Sequence, residues 1–373
     1  MACFKKSIIF IVWFALVSFI FNKYAYEIFE FNTSLRVFIK EGKTSHREFD
    51  EKGLPISYSA RIGEFQSPFY VVHYAILYSE HIGYENKENK LIWREDPSLE
   101  YWNVHPDLSN KEKNKNNFKN SVDWLVDNVD YSLNGNAHYL YNFDWPYKGF
   151  NNNKLESGWW SGLTDAYAII PLLRAYEIYG DEKYYKVARD LYSSSLTKYE
   201  ELGSLTYLNG QPWIEEYMDR NIVNQDKLPY VFNGMVYSTF GIQAYESLKR
   251  DSQNYSKRLL NSISYNVKKF NNNGWSHYDL YGGGNNIKYH LVHASLLNYL
   301  IESDFKNNNI NVLEVEDVNR EWLNSSKNLG LYYLLYGSKV FAYYHFLISY
   351  IFALCLPFIL FCFMKLKVRN GKV

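Results

Sequence analysis

Apolar residues recur through the middle of the chain at the spacing of helices, separated by short polar or alternating segments. In each of the segments 122–129, 163–173, 184–191 and 259–270, apolar side chains fall three or four residues apart, which places them on one helical face. Between these segments the chain alternates polar and apolar residues or carries Gly and Asn, a pattern that favours short hairpins. The pattern therefore predicts a mainly α protein with short β-hairpins.

The helical segments fall into pairs, and a predicted hairpin follows each of the first three. The unit begins near residues 65, 157, 231 and 288, and its hairpin strands are predicted at 140–145, 205–216 and 275–280. Pro68 suits a first helical turn and Asp181 an N-cap, whereas a polar loop is predicted up to residue 117. Helical pairs stacked in this way often close into an α/α toroid, so we expect an incomplete toroid.

Both ends of the chain are apolar. Residues 7–21 carry no charge and follow Lys5 and Lys6, and residues 340–364 carry none apart from His345 and precede a basic tail. The second run is long enough for a membrane span, whereas the first is short for one, so a signal peptide and an uncleaved signal anchor are both open and the anchor is favoured. The positive flanks predict that both termini are cytoplasmic and that the domain between them is extracytoplasmic. The expected divisions are an anchor at 1–24, a catalytic domain at 25–335, a transmembrane helix at 338–366 and a cytoplasmic tail at 367–373.

Composition narrows the class of protein. The chain has 40 basic and 40 acidic residues, and this balance argues against a nucleic-acid-binding protein, which needs a basic excess. Aromatic residues make up 19% of the chain, a surplus that suits either an aromatic core or stacking platforms for sugar rings. The cysteines lie only at positions 3, 355 and 362, so no disulfide or thiolate metal site is expected in the central domain.

Two adjacent carboxylates stand out in aromatic surroundings. Glu215 and Glu216 lie between Trp213 and Tyr217, and burial there would raise a carboxylate pKa towards neutrality. Asn233 and Tyr237 follow at i and i+4 of a predicted helix, and so share one face. The alternative interpretation is an exposed acidic turn before an amphipathic helix, because acidic pairs are usually solvated.

A second polar cluster follows a glycine-rich loop. Tyr278 and Tyr289 bracket residues 282–286, whose glycines permit close backbone approach to a ligand, and His293 shares a helical face with Tyr289. His290 and His293 have a spacing that zinc can use, but no third ligand is evident, and no metal site is predicted. In a toroid, these residues and the glutamates fall at the junctions that crowd one mouth of the ring.

Seven segments of the chain carry a family resemblance when they are taken in order: 53–57 with Pro68 and Tyr74, 158–161, 174–176, 213–217, 233–238, 278–280 and 289–293. In these segments, over about residues 50–300, the chain resembles the C-terminal catalytic region of the heparosan-N-sulfate-glucuronate (D-glucuronyl) C5-epimerase family. The resemblance implies an α/α toroid, in agreement with the repeat.

The resemblance implies a two-base epimerase that needs no organic cofactor. It places the acid/base pair on Glu216 and Tyr289, with Tyr217 and Tyr278 beside them. The expected substrate-binding residues, from the resemblance and from the predicted ring mouth, are Trp159, Asn233, Tyr237, His290, His293, Arg220 and Arg61. The expected partners are a uronate polysaccharide and the membrane, with homodimerisation left open and no nucleic acid.

The chain also departs from the family. Tyr281 stands where the family has Arg, and Asp165 and Tyr167 stand where it has two Gln. Arg220 or Arg61 is then expected to replace the missing Arg. The segment 79–117 leaves too little room for the β-rich domain that precedes the helices in the animal enzymes, and the C-terminal span is additional.

Epimerisation at C5 removes the hydrogen next to the uronate carboxylate and returns one to the opposite face, so it needs two proton carriers and donors that stabilise an enediolate. Tyr217, Tyr278, His290 and His293 are the expected donors. A polysaccharide lyase begins with the same proton abstraction and remains the nearest alternative. A non-catalytic membrane-tethered glycan-binding protein is another, and a glycoside hydrolase is less favoured because no facing carboxylate is evident.

Overall fold

The computed structural model describes residues 2–43, 47–59, 62–102, 106–147, 153–222, 228–249, 254–281, 284–339 and 341–370. Of the chain, 61% is helical, and the strands form short antiparallel pairs, as the sequence pattern predicts.

The helices and strands follow the predicted order in the central region. The helices are α1 (Ala2–Lys23), α2 (Ala25–Glu41), α3 (Pro68–Glu80), α4 (Lys111–Asp127), α5 (Gly162–Tyr179), α6 (Glu182–Ser195), α7 (Phe232–Lys249), α8 (Tyr255–Asn266), α9 (Ile287–Leu300), α10 (Lys306–Asn308), α11 (Leu313–Lys327), α12 (Leu329–Tyr336) and α13 (Phe341–Asn370). The strands are β1 (Arg47–Phe49), β2 (Pro55–Ser59), β3 (Gly63–Phe65), β4 (Asp130–Leu133), β5 (Asn136–His138), β6 (Leu140–Tyr141), β7 (Trp145–Pro146), β8 (Lys154–Leu155), β9 (Trp159–Trp160), β10 (Leu205–Leu208), β11 (Gln211–Ile214), β12 (Asn271–Asn272) and β13 (Trp275–Ser276).

Helices α3 to α9, together with α11, pack as pairs. The pairs are α3 with α4, α5 with α6, α7 with α8, and α9 with α11, and the first members α3, α5, α7 and α9 also contact one another in sequence. Residues 162–175 of α5 are all buried, whereas α6 buries one face only. The first members therefore form an inner row and their partners an outer row. That this row closes into a toroid stays a prediction.

The inner helices approach each other closely at a glycine. A Cβ at Gly241 of α7 would lie within 1.8 Å of the carbonyl oxygen of Ala166 in α5, so any larger residue would force the two helices apart. Local signals define both ends of α5, because Ser161 caps its first turn and Gly180 ends it in a left-handed conformation.

The hairpins differ in part from the predicted strands. Strands β10 and β11 pair as expected from Leu205 with Ile214 to Leu208 with Gln211. The predicted strand at 140–145 is wrong as a single element, because β6 pairs with β9 and β7 pairs with β8, which folds the intervening segment back on itself. The predicted strand at 275–280 is only β13. The predicted loop up to residue 117 is also wrong at its end, since α4 begins at Lys111.

The terminal helices pack against each other. The Trp13 indole donates to the Ala353 carbonyl at 3.2 Å, and the Ser18 and Tyr350 hydroxyls are 2.8 Å apart, so α1 and α13 run antiparallel. Within the described residues, one segment is long and apolar enough to cross a membrane by itself, Ala342–Ile359. Helices α1 and α2 are long and apolar enough to cross a membrane only when they are taken together, and their axes meet at an angle of 75° at Tyr24.

Candidate active site

The β10–β11 hairpin delivers the two glutamates into the interior. Trp213 and Ile214 at the end of β11 are fully buried. The two glutamates follow them directly, and Glu215 has no exposed surface while Glu216 is 8% exposed. The interpretation as an exposed acidic turn is therefore wrong. Two adjacent buried carboxylates require specific partners, because an ionised group is costly to remove from water.

Glu215 is held by the backbone. One carboxylate oxygen accepts the N–H of Glu216 at 2.8 Å and the other accepts the N–H of Tyr230 at 2.7 Å. Burial raises the pKa of Glu215 to about 8, and these backbone donors act against that rise. Both oxygens are occupied by hydrogen bonds that position the chain before α7. The arrangement fits a structural role for Glu215.

Glu216 has a different environment. Its Oε1 accepts a hydrogen bond from the Tyr278 hydroxyl at 3.2 Å, whereas Oε2 is buried with no hydrogen-bond partner among the described residues. The carboxylate lies against the first turn of α7, where a Cβ at Gly234 would be 2.5 Å from Oε2. A glycine is required there for the carboxylate to fit. An unpartnered buried oxygen is available to a ligand or a proton.

The protonation of Glu216 changes near neutrality. Burial raises its pKa to about 7, the hydroxyls of Tyr217 and Tyr278 oppose that rise, and the charge of Asp279 adds to it. A carboxylate with this pKa exchanges protons readily at physiological pH, which suits a general base.

Three tyrosines connect to this carboxylate. The hydroxyls of Tyr217 and Tyr278 are 2.9 Å apart, and the Tyr278 hydroxyl donates to Glu216. The ring of Tyr289, in the first turn of α9, lies 5.0 Å from the ring of Tyr278 in an edge-to-face contact. Burial raises the pKa of all three hydroxyls well above their ordinary range, so they are neutral donors at pH 7.

Aromatic rings form one wall beside Tyr217. Trp159 stacks on Tyr141 at 3.9 Å and lies 5.9 Å from the Tyr217 ring, while Tyr147 lies 4.6 Å from that ring. Tyr281, the residue that stands where Arg was expected, joins this cluster, and its hydroxyl is buried with no hydrogen-bond partner among the described residues. Stacked rings of this kind can support the apolar face of a sugar.

The two histidines are fixed in neutral forms. Nδ1 of His290 accepts the Ser276 backbone N–H at 3.1 Å, so Nε2 carries the proton towards Ser325. Nε2 of His293 is 3.1 Å from Oδ1 of Asn233. Burial lowers the pKa of His290 to about 3 and lowers that of His293 as well. His293 therefore orients Asn233, and His290 joins α9 to α11.

Two other residues singled out in the sequence lie in separate networks. The fully buried Tyr237 places its hydroxyl against Asp96 and Ser98. Asp165 binds Nδ1 of His138 at 2.7 Å and the backbone N–H of Tyr139 at 2.9 Å, which ties the β4–β5 hairpin to α5. The structure thus brings together Glu216, Tyr217, Tyr278, Tyr289 and Trp159, while Tyr237 and Asp165 have their own buried partners.

The expected replacements for the missing Arg are not in this cluster. Arg220 is exposed, next to Gly158, and its charge acts on Asp130 in β4. Arg61 lies outside the described residues. No contact between Arg220 and Glu216 is among those described.

Two basic residues that sequence reasoning missed lie at the Tyr289 end of the site. The Arg47 guanidinium lies 3.2 Å from the centre of the Tyr70 ring, and the Lys288 ammonium lies 4.4 Å from that of Trp102. Burial by itself raises the pKa of Tyr70, but the charges of Arg47 and Lys288 outweigh it and the pKa is lowered. Lys288 precedes Tyr289 in the chain, a position that could have drawn attention to it.

Comparison with known proteins gives two matches. Residues 134–322, about half of the chain, match the model of the family described as D-glucuronyl C5-epimerase C-terminus. A curated protein of Methanocaldococcus jannaschii, described only as uncharacterized, is 30% identical over 161 residues, which is 42% of this chain and 49% of that protein. The chain therefore matches over about half the length of that relative.

Proposed function

Because this chain belongs to the D-glucuronyl C5-epimerase C-terminus family, we propose that it converts D-glucuronate to L-iduronate residues within a polysaccharide by inverting C5. The observation that carries the proposal is the carboxylate of Glu216. It is buried, its pKa is about 7, one of its oxygens has no described partner, and the other is hydrogen-bonded to a neutral tyrosine.

In the proposed reaction Glu216 acts as the base on one face of the sugar. Its carboxylate takes the proton from C5, and the electron pair of the broken C–H bond moves into the uronate carboxyl group to form an enediolate. The hydroxyls of Tyr217 and Tyr278, which lie beside Glu216, can donate hydrogen bonds to the negative charge that develops on the enediolate. Positioned proton transfer contributes about 10² to 10⁴-fold to such reactions.

Tyr289 is the proposed acid on the opposite face. Its neutral hydroxyl gives a proton to C5, and the phenolate is then reprotonated from solvent. Burial and the charges of Tyr70 and Glu216 raise the pKa of Tyr289, but the charge of Arg47 acts to lower it. Arg47 therefore makes a transient phenolate less costly. In the reverse direction the two residues exchange roles.

Arg47 and Lys288 are the groups we propose to neutralise the uronate carboxyl group. Burial lowers the pKa of Lys288, the charges of Tyr70 and Glu30 act against that fall, and the charge of Arg47 adds to it. A carboxylate placed beside Lys288 and Arg47 would favour the charged forms of both groups. Neutralising the carboxyl group is essential, because the C5 hydrogen is barely acidic while that group is fully charged. This assignment replaces Arg220 and Arg61 in the expected mechanism.

Exchange of hydrogen with solvent tests the proposal. Full-length protein incubated in D₂O with heparosan, an unsulfated polymer of glucuronate and N-acetylglucosamine, should give deuterium at C5 and a mixture of glucuronate and iduronate without cleavage. Glu216→Gln and Tyr289→Phe should each abolish inversion. Tyr184→Phe is a matched control, because it removes a hydrogen bond of 2.7 Å from a tyrosine hydroxyl to the carboxylate of Asp123, outside the site.

Other outcomes identify the alternatives. An unsaturated uronate, detected by its ultraviolet absorbance, would assign the protein as a lyase. If the protein binds the polymer without exchanging hydrogen, it would be assigned as a glycan-binding protein. If other glucuronate polymers also show no exchange, the epimerase function would be excluded.

A further inference from the structure

Helix α2 carries an apolar stripe that faces away from the protein. Ala25, Phe29 and Asn32 are buried against the domain, whereas Phe31 and Ile39 are 65% and 72% exposed. At 100° per residue, Phe31, Leu35, Phe38 and Ile39 fall within one sector of the helix, to one side of the buried face. A soluble surface rarely exposes so many large apolar side chains together. This stripe needs a partner.

Helix α2 begins where the terminal helices meet the domain. Phe21 of α1 packs on Phe346 of α13 with ring centres 5.7 Å apart, and beyond this contact α1 and α13 present apolar side chains outwards. Tyr24 and Tyr344, both about half exposed, lie a few residues along the chain from this contact. Exposed tyrosines at the end of apolar helices are typical of the lipid–water interface. Tyr24 is also the residue from which α2 starts.

The bend at Tyr24 sets the direction of α2. An angle of 75° to α1 turns α2 towards the membrane plane if α1 and α13 cross the bilayer together. Helix α2 is a poor continuation of the span, because its sequence holds Glu27, Glu30, Arg36, Lys40 and Glu41. One exposed apolar sector on a charged helix is the pattern of an interfacial helix.

We propose that α2 lies in the surface layer of a lipid bilayer, with the stripe Phe31–Leu35–Phe38–Ile39 inserted at the boundary between headgroups and acyl chains. Leu331 and Leu335 of α12, both exposed, belong to a helix that contacts α1 and α2. Helices α1 and α13 would then cross the membrane as a pair, α2 would lie flat in its surface layer, and the exposed leucines of α12 would lie beside them.

The position of α2 also has a consequence for the site. Helix α2 packs on α9, Tyr26 donates to the carbonyl of Tyr101 at 3.2 Å, and the charge of Glu30 acts on both Tyr70 and Lys288. The Tyr289 end of the site is therefore held close to the bilayer surface, where a membrane-attached glycan would pass. This consequence rests on the proposed function, whereas the membrane contact does not.

Fluorescence quenching tests the contact without any use of activity. The three native cysteines are replaced by serine in the full-length chain, and Leu35→Cys, Ile39→Cys and the matched neighbour Lys40→Cys are labelled with an environment-sensitive dye in phosphatidylcholine–phosphatidylglycerol vesicles. We expect quenching at positions 35 and 39 by lipids spin-labelled near the headgroup. Iodide should quench these two dyes several-fold less than the dye at position 40.

Three results would overturn the proposal. Equal iodide quenching at positions 39 and 40 would mean that the stripe faces water, and quenching mainly by lipids labelled at the acyl-chain end would mean a broken span. Protection that disappears when the lipid-to-protein ratio is raised would mean that a second copy covers the stripe. Labelling of Lys40→Cys in spheroplasts by a membrane-impermeant maleimide also reports whether the domain is extracytoplasmic, as the flanking charges predict.

Discussion

Glu215 and Glu216 are neighbours in the chain, but they enter two different regions of the molecule. The side chain of Glu215 lies against the backbone, and both its oxygens accept hydrogen bonds from backbone N–H groups. The side chain of Glu216 lies in the tyrosine cluster, where one of its oxygens has no described partner. Burial raises the pKa of both carboxyl groups, to about 8 and about 7. The two carboxyl groups are thus similarly buried, but only Glu215 has a hydrogen-bond partner for each oxygen.

The difference separates stability from chemistry. A carboxylate whose oxygens are all occupied fixes the backbone and has nothing left to offer a substrate. A carboxylate with an unoccupied oxygen costs folding free energy, and a site that must bind and react is one reason to retain that cost. Perturbed pKa values alone would have suggested either glutamate, and the hydrogen bonds select Glu216.

The largest effect is expected when each glutamate is replaced by glutamine. Glu216→Gln should lower the rate of C5 exchange by about 10² to 10⁴-fold or more, because the base is lost. Glu215→Gln should instead lower the free energy of unfolding by about 1–3 kcal/mol, because an amide nitrogen then faces a backbone N–H that needs an acceptor. Exchange rates and the thermal unfolding of full-length protein in detergent micelles measure the two effects.

The pH dependence of stability sharpens this contrast. The folded pKa of Glu216 lies above its unfolded value, so its ionisation destabilises the fold increasingly as pH rises from the unfolded pKa towards about 7. Glu216→Gln should therefore raise the unfolding temperature at about pH 8 more than at about pH 5. A stability loss from Glu216→Gln equal to that from Glu215→Gln would remove the distinction between the two regions.

A smaller effect is expected at the basic end of the site. Lys288→Met keeps the length of the side chain but removes the charge proposed to face the uronate carboxyl group, and loss of one such electrostatic partner costs about 10² to 10³-fold in rate. Lys183→Met is a matched control, because Lys183 pairs at the surface with Asp123. An unchanged kcat/KM for Lys288→Met would leave Arg47 as the sole candidate.

Local sequence signals predicted the central helices well. Pro68 lies in the first turn of α3 and Asp181 caps α6, as predicted, because these signals depend on residues within one turn. The prediction of one strand at 140–145 was wrong because the segment pairs with two different strands further along the chain. Its first part, β6, pairs with β9, and its last part, β7, pairs with β8. Helix α2 was not predicted, since its two apolar sectors and scattered charges obscure a single helical period.

The site was predictable only where its residues belong to recognisable segments. Glu216, Tyr217, Tyr278 and Tyr289 meet in the structure, and the ordered resemblance named all four. Arg47 reaches this region from β1, and its contacts with Tyr70 and Tyr74 join segments separated by more than 20 residues. No periodicity encodes such convergence. The proton-transfer roles of these residues stay predictions.

The smallest expected effect is a shift in the pH profile. If Glu216 is the base, kcat/KM should fall as pH drops below about 7, because protonation removes the proton acceptor. Burial also raises the pKa of Glu80 to about 7, although the charge of Arg174 acts to lower it, so the fall alone does not identify the group. Tyr278→Phe removes a hydrogen bond that lowers the pKa of Glu216, and it should move the acid limb to higher pH.

The control for this shift is Tyr184→Phe, which loses its bond to Asp123 and should leave the acid limb in place. Tyr278→Phe also lowers the rate at every pH, so the midpoint of the limb is compared and not its height. A limb that stays at the same pH in Tyr278→Phe would mean that another group controls it. Glu216 would then lose its role as the titrating base, and the distinction between the neighbouring glutamates would rest on stability alone.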